Sequence, residues 1–181
     1  MPGGLNSTDP LADNIHGTNP QNLVEKITRL KVYNCSFWKE ECFGLTAETI
    51  IDKIIGLKYV GGTYGGNSKP SKFLCLLLKL LQLQPERDIA IELLRNEQYK
   101  YLRALGAMYF RMIGKGEEVY RYLEPIYNDF RKLRYRSSKG WDFVHMDDFI
   151  HQLLVEETVC EVALPHLPRR WKLEQSKVLP A

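Results

Sequence analysis

The sequence has no paired-cysteine motif. None of its four cysteines forms a C-x-x-C pair, and its four histidines do not stand at metal-ligand spacing beside them. This argues against a zinc-finger pattern and against a disulfide framework. We therefore expect reduced thiols in an intracellular protein, with Cys75, which lies in an apolar run, as a core residue.

Long hydrophobic runs are also missing. The longest, FLCLLLKLLQL at 73–83, is interrupted by Lys79 and Gln82 and is too short to span a bilayer. Residues 1–14 are polar and lack the charged and apolar regions of a signal peptide, so they are predicted to be a flexible leader. The formal net charge of +3 permits contact with nucleic acid without requiring it. These features favour a soluble protein with no membrane association.

No convergent set of catalytic residues is visible. Glu40 and Glu41 are adjacent and would diverge by about 100° on a helix, and His145 and His151 are six residues apart, so they do not share a helical face. His16 precedes a capping turn and is interpreted as a hydrogen-bonding residue that fixes the chain entry, because no base or metal ligand accompanies it. We predict no catalytic, metal-binding or cofactor-binding residue and no enzymatic activity.

The stretch VGGTYGGNSKP at 60–70 contains four glycines in six positions. Gly61 and Gly66 match the two glycines of a phosphate-binding loop, but Asn67 stands where that loop requires lysine, and a helical pattern precedes it instead of a strand. The stretch is therefore predicted to join two helices and to lie close to a neighbouring surface. Tyr64 either fills the core or projects as a contact, and Asn67 and Lys69 are candidate partner contacts.

Helical periodicity dominates the rest of the chain, and strand alternation is nearly absent. We predict a single irregular all-α domain at 15–173, with about seven to nine helices around an apolar central helix that begins at Pro70, and a flexible end at 174–181. Leu23, Ile27 and Leu30 are predicted to mark one face of a first helix that begins at Asn19. The segment PIYNDFRKLRYR is predicted to be helical, and WDFVH can be extended.

The predicted helix at 97–113 is a candidate partner surface. Tyr99, Arg103, Gly106 and Phe110 widen its apolar arc to roughly 200°, more than one packing contact requires. A glycine in mid-helix costs about 1 kcal/mol relative to alanine, which indicates close approach of another helix at Gly106. That helix is either part of this domain or a partner helix lying in a groove, and the sequence does not decide between them.

Two basic segments are candidates for contact with RNA. Their members are Arg131, Lys132, Arg134, Arg136, Arg169 and Arg170. Mixtures of basic and aromatic residues suit phosphate contact and base stacking, although no recognised RNA-binding motif is present. Solvated helix ends explain the first segment equally well, because Lys and Arg favour helix C-termini.

Several distinctive segments, taken together, resemble the amino-terminal domain of the pre-mRNA-splicing factor 38 family. They are IHGTNPQNLVEKI, FWKEECFGLTAE, VGGTYGGNSKPSKFLCLLLKLLQLQPE, YKYLRALGAMYFR and YRYLEPIYNDFRKLR, in the family's order and spread from Ile15 to about Trp171. Many animal members continue into a charged tail rich in Arg-Ser dipeptides. This sequence has no such tail before Ala181, so it represents either a short member of the fungal type or part of a longer protein.

The resemblance implies a nuclear, non-enzymatic component of the spliceosome that joins with the tri-snRNP and is needed for activation. It also implies a helical scaffold, monomeric on its own and without cofactors, for a microfibrillar-associated-protein-like factor and a small zinc-finger protein of the tri-snRNP, bound through long helices. The alternative is a splicing protein that binds RNA directly through its basic segments.

Overall fold

A computed structural model describes residues 16–181, so the predicted leader at 1–14 lies outside the described residues. The described part of the chain contains eight α-helices, 3-10 turns at Pro20–Leu23 and Glu124–Asn128 and a π-helical turn at Trp38–Cys42, which together form just over half of it. The helices are α1 (Lys26–Asn34), α2 (Ile50–Ile55), α3 (Lys72–Leu83), α4 (Arg87–Arg95), α5 (Lys100–Ile113), α6 (Gly116–Leu123), α7 (Met146–Val155) and α8 (Arg170–Gln175). The predicted all-α class with seven to nine helices is confirmed.

Helix α3 is the predicted apolar central helix. All of its side chains from Phe73 to Gln82 are buried, because leucine and other apolar residues occupy every side of it. The Ser71 hydroxyl accepts a hydrogen bond from the Leu74 N–H at 3.1 Å, so Ser71 is the N-cap and the helix begins at Lys72. The start predicted at Pro70 is wrong by two residues, since Pro70 belongs to a short strand.

Helix α5 is the second buried helix. Its residues from Leu102 to Met112 are buried, and it contacts α2, α3, α4, α6 and α7. The Asn96 side chain accepts the Tyr99 N–H at 2.9 Å, which fixes the turn before the helix, and the chain leaves the helix at Gly114 as predicted.

Three antiparallel hairpins interrupt the helices. They are β1 (Thr63–Tyr64) with β2 (Lys69–Pro70), β3 (Lys132–Ser137) with β4 (Gly140–His145), and β5 (Thr158–Val159) with β6 (Val162–Ala163). The helix predicted through residues 132–136 is therefore wrong. Leu133 is buried while Lys132 and Arg134 are exposed, which is the two-residue period of a strand.

The first predicted helix is split in the structure. The Asn19 side chain caps a 3-10 turn by accepting the Gln21 N–H, and the extended backbone at Val24 separates this turn from α1. Val32 is the buried residue of α1, whereas Ile27 is 69% exposed and Leu30 is 48% exposed. Two of the three residues of the predicted apolar face thus lie on the surface, whereas Leu23 is half-buried against the core.

The carboxyl-terminal end packs on the body of the domain. Leu179 is 4% exposed, and the carbonyls of Val178 and Pro180 accept hydrogen bonds from Arg121 and Arg170. This differs from the flexible end predicted at 174–181. Within the described residues, none of the helices has the length and apolar character needed to cross a lipid bilayer.

Candidate partner-binding surfaces

The glycine-rich stretch follows α2 and lies against two other segments of the chain. The Val60 N–H donates to the Arg134 carbonyl at 2.8 Å, and the Arg136 N–H donates to the Val60 carbonyl at 3.0 Å. A Cβ on Gly61 would lie 2.3 Å from the Arg136 carbonyl oxygen, and a Cβ on Gly62 would lie 2.3 Å from that of Cys160. Both positions therefore require glycine, as the predicted close approach to a neighbour implied.

The tip of this stretch is exposed. Asn67 and Lys69 are exposed, while Tyr64 is half-buried beneath the Arg136 guanidinium, which lies 3.7 Å from the ring centroid. The Tyr64 ring is thus neither fully buried in the core nor fully exposed, and its described contact is with Arg136. A role in partner binding for these three residues stays a prediction.

The predicted groove on α5 is filled by the chain itself. A Cβ on Gly106 would lie 2.7 Å from the Leu93 Cβ and 2.8 Å from the Leu94 backbone nitrogen, so the helix that approaches Gly106 is α4. Phe110 is 2% exposed and packs edge-on against Tyr122. An external helix cannot occupy this position without displacing α4, which corrects the groove alternative.

The Arg103 side chain also makes its contacts within the domain. It is 8% exposed, and its guanidinium donates to the Leu94 carbonyl at 2.9 Å and to the Asp129 carboxylate at 3.0 Å. Of the candidates on this helix, Tyr99 alone remains on the surface, 37% exposed.

The predicted RNA-contacting residues divide into paired and unpaired cations. Arg131 binds the Asp129 carboxylate at 2.7 Å, and Arg170 is held between Glu124 and Glu174. Hydrogen bonds to these carboxylates raise the pKa of both arginines. Arg169 is exposed at the start of α8. The remaining candidates, Lys132, Arg134 and Arg136, lie on β3.

The β3–β4 pairing brings those three cations beside exposed aromatic rings. The register sets Lys132 opposite His145, Arg134 opposite Phe143 and Arg136 opposite Trp141, and paired residues share one side of a hairpin. We call this set of six residues the hairpin face. Trp141 is 50% exposed and Phe143 is 64% exposed.

The helix predicted over the preceding segment gives no role to Trp141 and Phe143. The two-residue alternation of Lys132, Arg134 and Arg136 was the available signal.

Ile27 and Leu30 on α1 form a second exposed surface of the described part of the chain. Residues three apart on a helix are neighbours on its surface, so the two side chains make one apolar stripe. Such a stripe is typical of the anchor positions that meet an amphipathic helix.

An open cleft of about 910 Å³ lies between α7 and the segment that leads into α8. Arg111, Tyr120, His151 and Trp171 are among the residues that line it. The Tyr127 hydroxyl is 3.1 Å from His151 Nδ1. Within residues 16–181, no group of three or more His, Cys, Asp or Glu side chains is arranged to hold a metal ion.

Cys35 and Cys75 form a thiol pair, with their sulfur atoms 3.5 Å apart. The hydrogen bond from the Cys75 thiol lowers the pKa of Cys35 below its ordinary value and raises that of Cys75, and burial raises the pKa of Cys42 and of Cys160 to about 12. Cys75 is fully buried, as predicted for a core residue.

We expect iodoacetamide at pH 7 to alkylate Cys35 before the other three cysteines, because the thiolate is the reactive form and Cys35 is the least buried. Peptide mass mapping after brief exposure measures this order. A Cys35→Ser variant should lose the fast modification, and equal rates at all four cysteines would contradict the expectation.

The amino-acid sequence is similar to that of known proteins. The sequence profile of the PRP38 family matches residues 13–177. The chain is 56% identical over 175 residues to Pre-mRNA-splicing factor 38 of Arabidopsis thaliana, a match that covers 96% of this chain and 49% of that protein. It is 55% identical over 175 residues to Pre-mRNA-splicing factor 38A of Xenopus tropicalis, covering 96% of this chain and 56% of that protein. The chain thus spans about half the length of the curated relatives it matches.

A solved structure is also similar. A chain in the crystal structure of the Snu23-Prp38-MFAP1(217-258) complex of Chaetomium thermophilum superposes with a TM-score of 0.88 at 43% identity, covering 95% of this chain and 89% of that chain. The match to the profile from residue 13 to residue 177 and the identity above one half to two relatives lead to one conclusion: this chain belongs to the PRP38 family.

Proposed function

We propose that this chain is a non-enzymatic component of the spliceosome that acts as a protein-interaction scaffold in pre-mRNA splicing. The observation that carries the proposal is the fold match at 43% identity to a chain in a complex of Snu23, Prp38 and MFAP1. In that role it acts in the nucleus, joins with the tri-snRNP and is needed for activation of the spliceosome.

Its partners are then counterparts of Snu23 and MFAP1, which correspond to the small zinc-finger protein and the microfibrillar-associated-protein-like factor of the family. The surface supports such a role, because large apolar side chains remain exposed at separate places, at Ile27 and Leu30 on α1 and at Trp141 and Phe143 on β4. Exposed aromatic and aliphatic anchors are the usual centres of protein interfaces.

Reconstitution with purified partners tests the scaffold. The protein is mixed with the Snu23 chain and the MFAP1(217-258) segment of Chaetomium thermophilum, and the mixture is analysed by size-exclusion chromatography with light scattering. We expect all three chains to elute as one complex. Elution of this chain alone at micromolar concentrations, together with failure to capture splicing proteins from a nuclear extract, would reject the proposal.

The stripe on α1 is the surface that we expect one partner helix to contact. Replacing Ile27 and Leu30 together by glutamine should weaken binding of one of the two partners by about tenfold or more, since losing a single buried interface anchor typically costs more than about 1 kcal/mol. The thermal midpoint should stay unchanged, because both side chains are exposed. Isothermal titration calorimetry with each partner measures the effect.

The matched control for this variant is Lys31→Gln, an exposed position on the same helix. If the double variant binds both partners as tightly as the control does, α1 is not a partner surface.

A further inference from the structure

The outer edge of β4 carries backbone groups that have no strand beside them. Arg134 and Arg136 use a backbone carbonyl and a backbone N–H to pair with Val60, so these groups point away from β4. In an antiparallel pair, two opposite residues either both point their N–H and carbonyl groups towards the other strand, or both point them away from it. Phe143 and Trp141, their partners in the register, therefore point their N–H and carbonyl groups outward, away from β3.

Within the described residues, no backbone hydrogen bond reaches this edge from another segment. The Phe143 N–H is accepted by the adjacent Asp142 carboxylate at 2.7 Å, and the Trp141 carbonyl, the Trp141 N–H and the Phe143 carbonyl meet no other backbone. A six-residue edge strand with large exposed aromatic residues is a template for pairing with another extended segment.

The cations of the hairpin face lie over this edge strand. The Arg134 guanidinium is 4.5 Å and the Arg136 guanidinium 4.9 Å from the Trp141 ring centroid, and the Lys132 ammonium is 5.9 Å from that of Phe143. The long side chains of β3 thus reach across onto β4. This places positive charge beside the free edge.

These cations have no carboxylate partner among the described residues. No ion pair joins Lys132, Arg134 or Arg136 to an acidic side chain. The nearby carboxylates have other partners: Asp142, the register partner of Tyr135, accepts the Phe143 N–H, and Asp148 is 3.8 Å from His145 at the far end. The hairpin face therefore presents a charge that an acidic partner would complement.

We infer that β4 binds an extended acidic peptide, which adds as a strand to its outer edge and places acidic side chains at alternate positions against Arg134, Arg136 and Lys132. This inference rests on the proposed function, because it specifies one class of partner for the scaffold. Backbone pairing supplies affinity in this mode of recognition, and side chains on alternate positions supply specificity. The free backbone edge favours a peptide over RNA, because a single strand of RNA does not reproduce the ladder of peptide hydrogen bonds.

A synthetic peptide tests the strand addition. The probe is an acetylated, amidated hexapeptide that alternates glutamate and valine, titrated into the ¹⁵N-labelled protein and followed by its amide NMR resonances. Two further versions carry N-methyl groups on alternate residues, so that each version blocks one edge of the peptide. We expect one version to bind like the unmodified peptide and the other to bind at least about tenfold more weakly. The shifts should centre on residues 140–145.

Variants of the protein test the charge. The double variant Arg134→Gln with Arg136→Gln should weaken peptide binding at least about tenfold. The control variant Arg169→Gln with Lys172→Gln removes two exposed cations elsewhere and should leave peptide binding unchanged. Unchanged thermal midpoints show that both variants fold. Absence of peptide binding, or equal binding of both N-methylated versions, overturns the inference. Binding of oligouridine to residues 140–145 without peptide binding also overturns it and assigns the face to RNA.

The complex with Snu23 and MFAP1(217-258) separates this inference from the proposed function. If that complex forms while the peptide does not bind, the strand addition alone is wrong. If the peptide binds as expected while the complex does not form, the strand addition stands and the proposed assembly is wrong.

Discussion

Substituting leucine for Gly106 should lower the free energy of unfolding by about 3 kcal/mol, the upper part of the range for overpacked cores. The reason is backbone proximity. A Cβ at this position already comes within 3.0 Å of three atoms of α4, two of which are backbone atoms that cannot rotate aside. A 181-residue domain should then melt about 10 °C lower. Thermal unfolding followed by circular dichroism measures the shift.

Gly66→Ala is the matched control for this substitution. A Cβ at Gly66 would meet no atom within 4 Å, so the change should alter stability by less than about 0.5 kcal/mol. If Gly106→Leu instead left the thermal midpoint unchanged and abolished partner binding, the space above Gly106 would belong to a partner helix after all.

Sequence patterns predicted the helical class and the central helix well, because their signals are local. The unbroken apolar composition of 73–83 requires burial on every side, and Ser71 is in fact the N-cap of that helix. The glycine-rich stretch was also interpretable, since Gly61 and Gly62 allow the close backbone approach that their number indicated.

The sequence alone does not identify which segment packs against each apolar surface. The wide apolar arc at Gly106 shows that another helix lies close, but the same pattern results whether α4 or a partner supplies that helix. Ile27 and Leu30 show the converse, because an apolar stripe at helical spacing normally packs inward and here faces solvent. Which chain covers an apolar face depends on contacts between residues distant in sequence.

The helix predicted over β3 is wrong for a different reason, whereas WDFVH, which the sequence allows to be extended, lies within β4. The segment after Pro125 combines apolar and basic residues that fit a helix end, and only the pairing with β4 and with Val60 makes the alternation decisive. This error mainly affected the prediction of the candidate site. With a strand in place of a helix, Trp141 and Phe143 join the basic residues on one face.

Asp129→Ala should cost about 3–5 kcal/mol of stability, because it leaves the buried Arg103 guanidinium without its anion. Both side chains of the pair are nearly buried, with 10% of Arg103 and 6% of Asp129 exposed. Burial alone would raise the pKa of Asp129, but the hydrogen bonds from Arg131 and Arg103 outweigh burial and lower it below the ordinary value of 3.8. Urea unfolding at pH 7 measures the loss.

The pH dependence of stability follows from the direction of this shift. A carboxylate with a lowered pKa in the folded state contributes stability that is fully present above the ordinary value and is lost as the pH falls through the lowered value. The wild type should therefore lose stability below about pH 4 more steeply than Asp129→Ala does. Identical slopes in acid for the two proteins would show that Asp129 is not held ionised by its arginines.

Two further variants distinguish the cost of leaving a buried charge unpaired from the cost of losing any ion pair. Glu41→Ala removes the exposed partner of Lys53, a pair 3.2 Å apart, and should cost less than about 1 kcal/mol. Arg103→Met combined with Asp129→Ala removes the stranded cation as well, so it should be more stable than Asp129→Ala alone. If the double variant is instead less stable than the single one, the hydrogen bond from Arg103 to the Leu94 carbonyl, which joins α5 to α4, contributes more than the ion pair does.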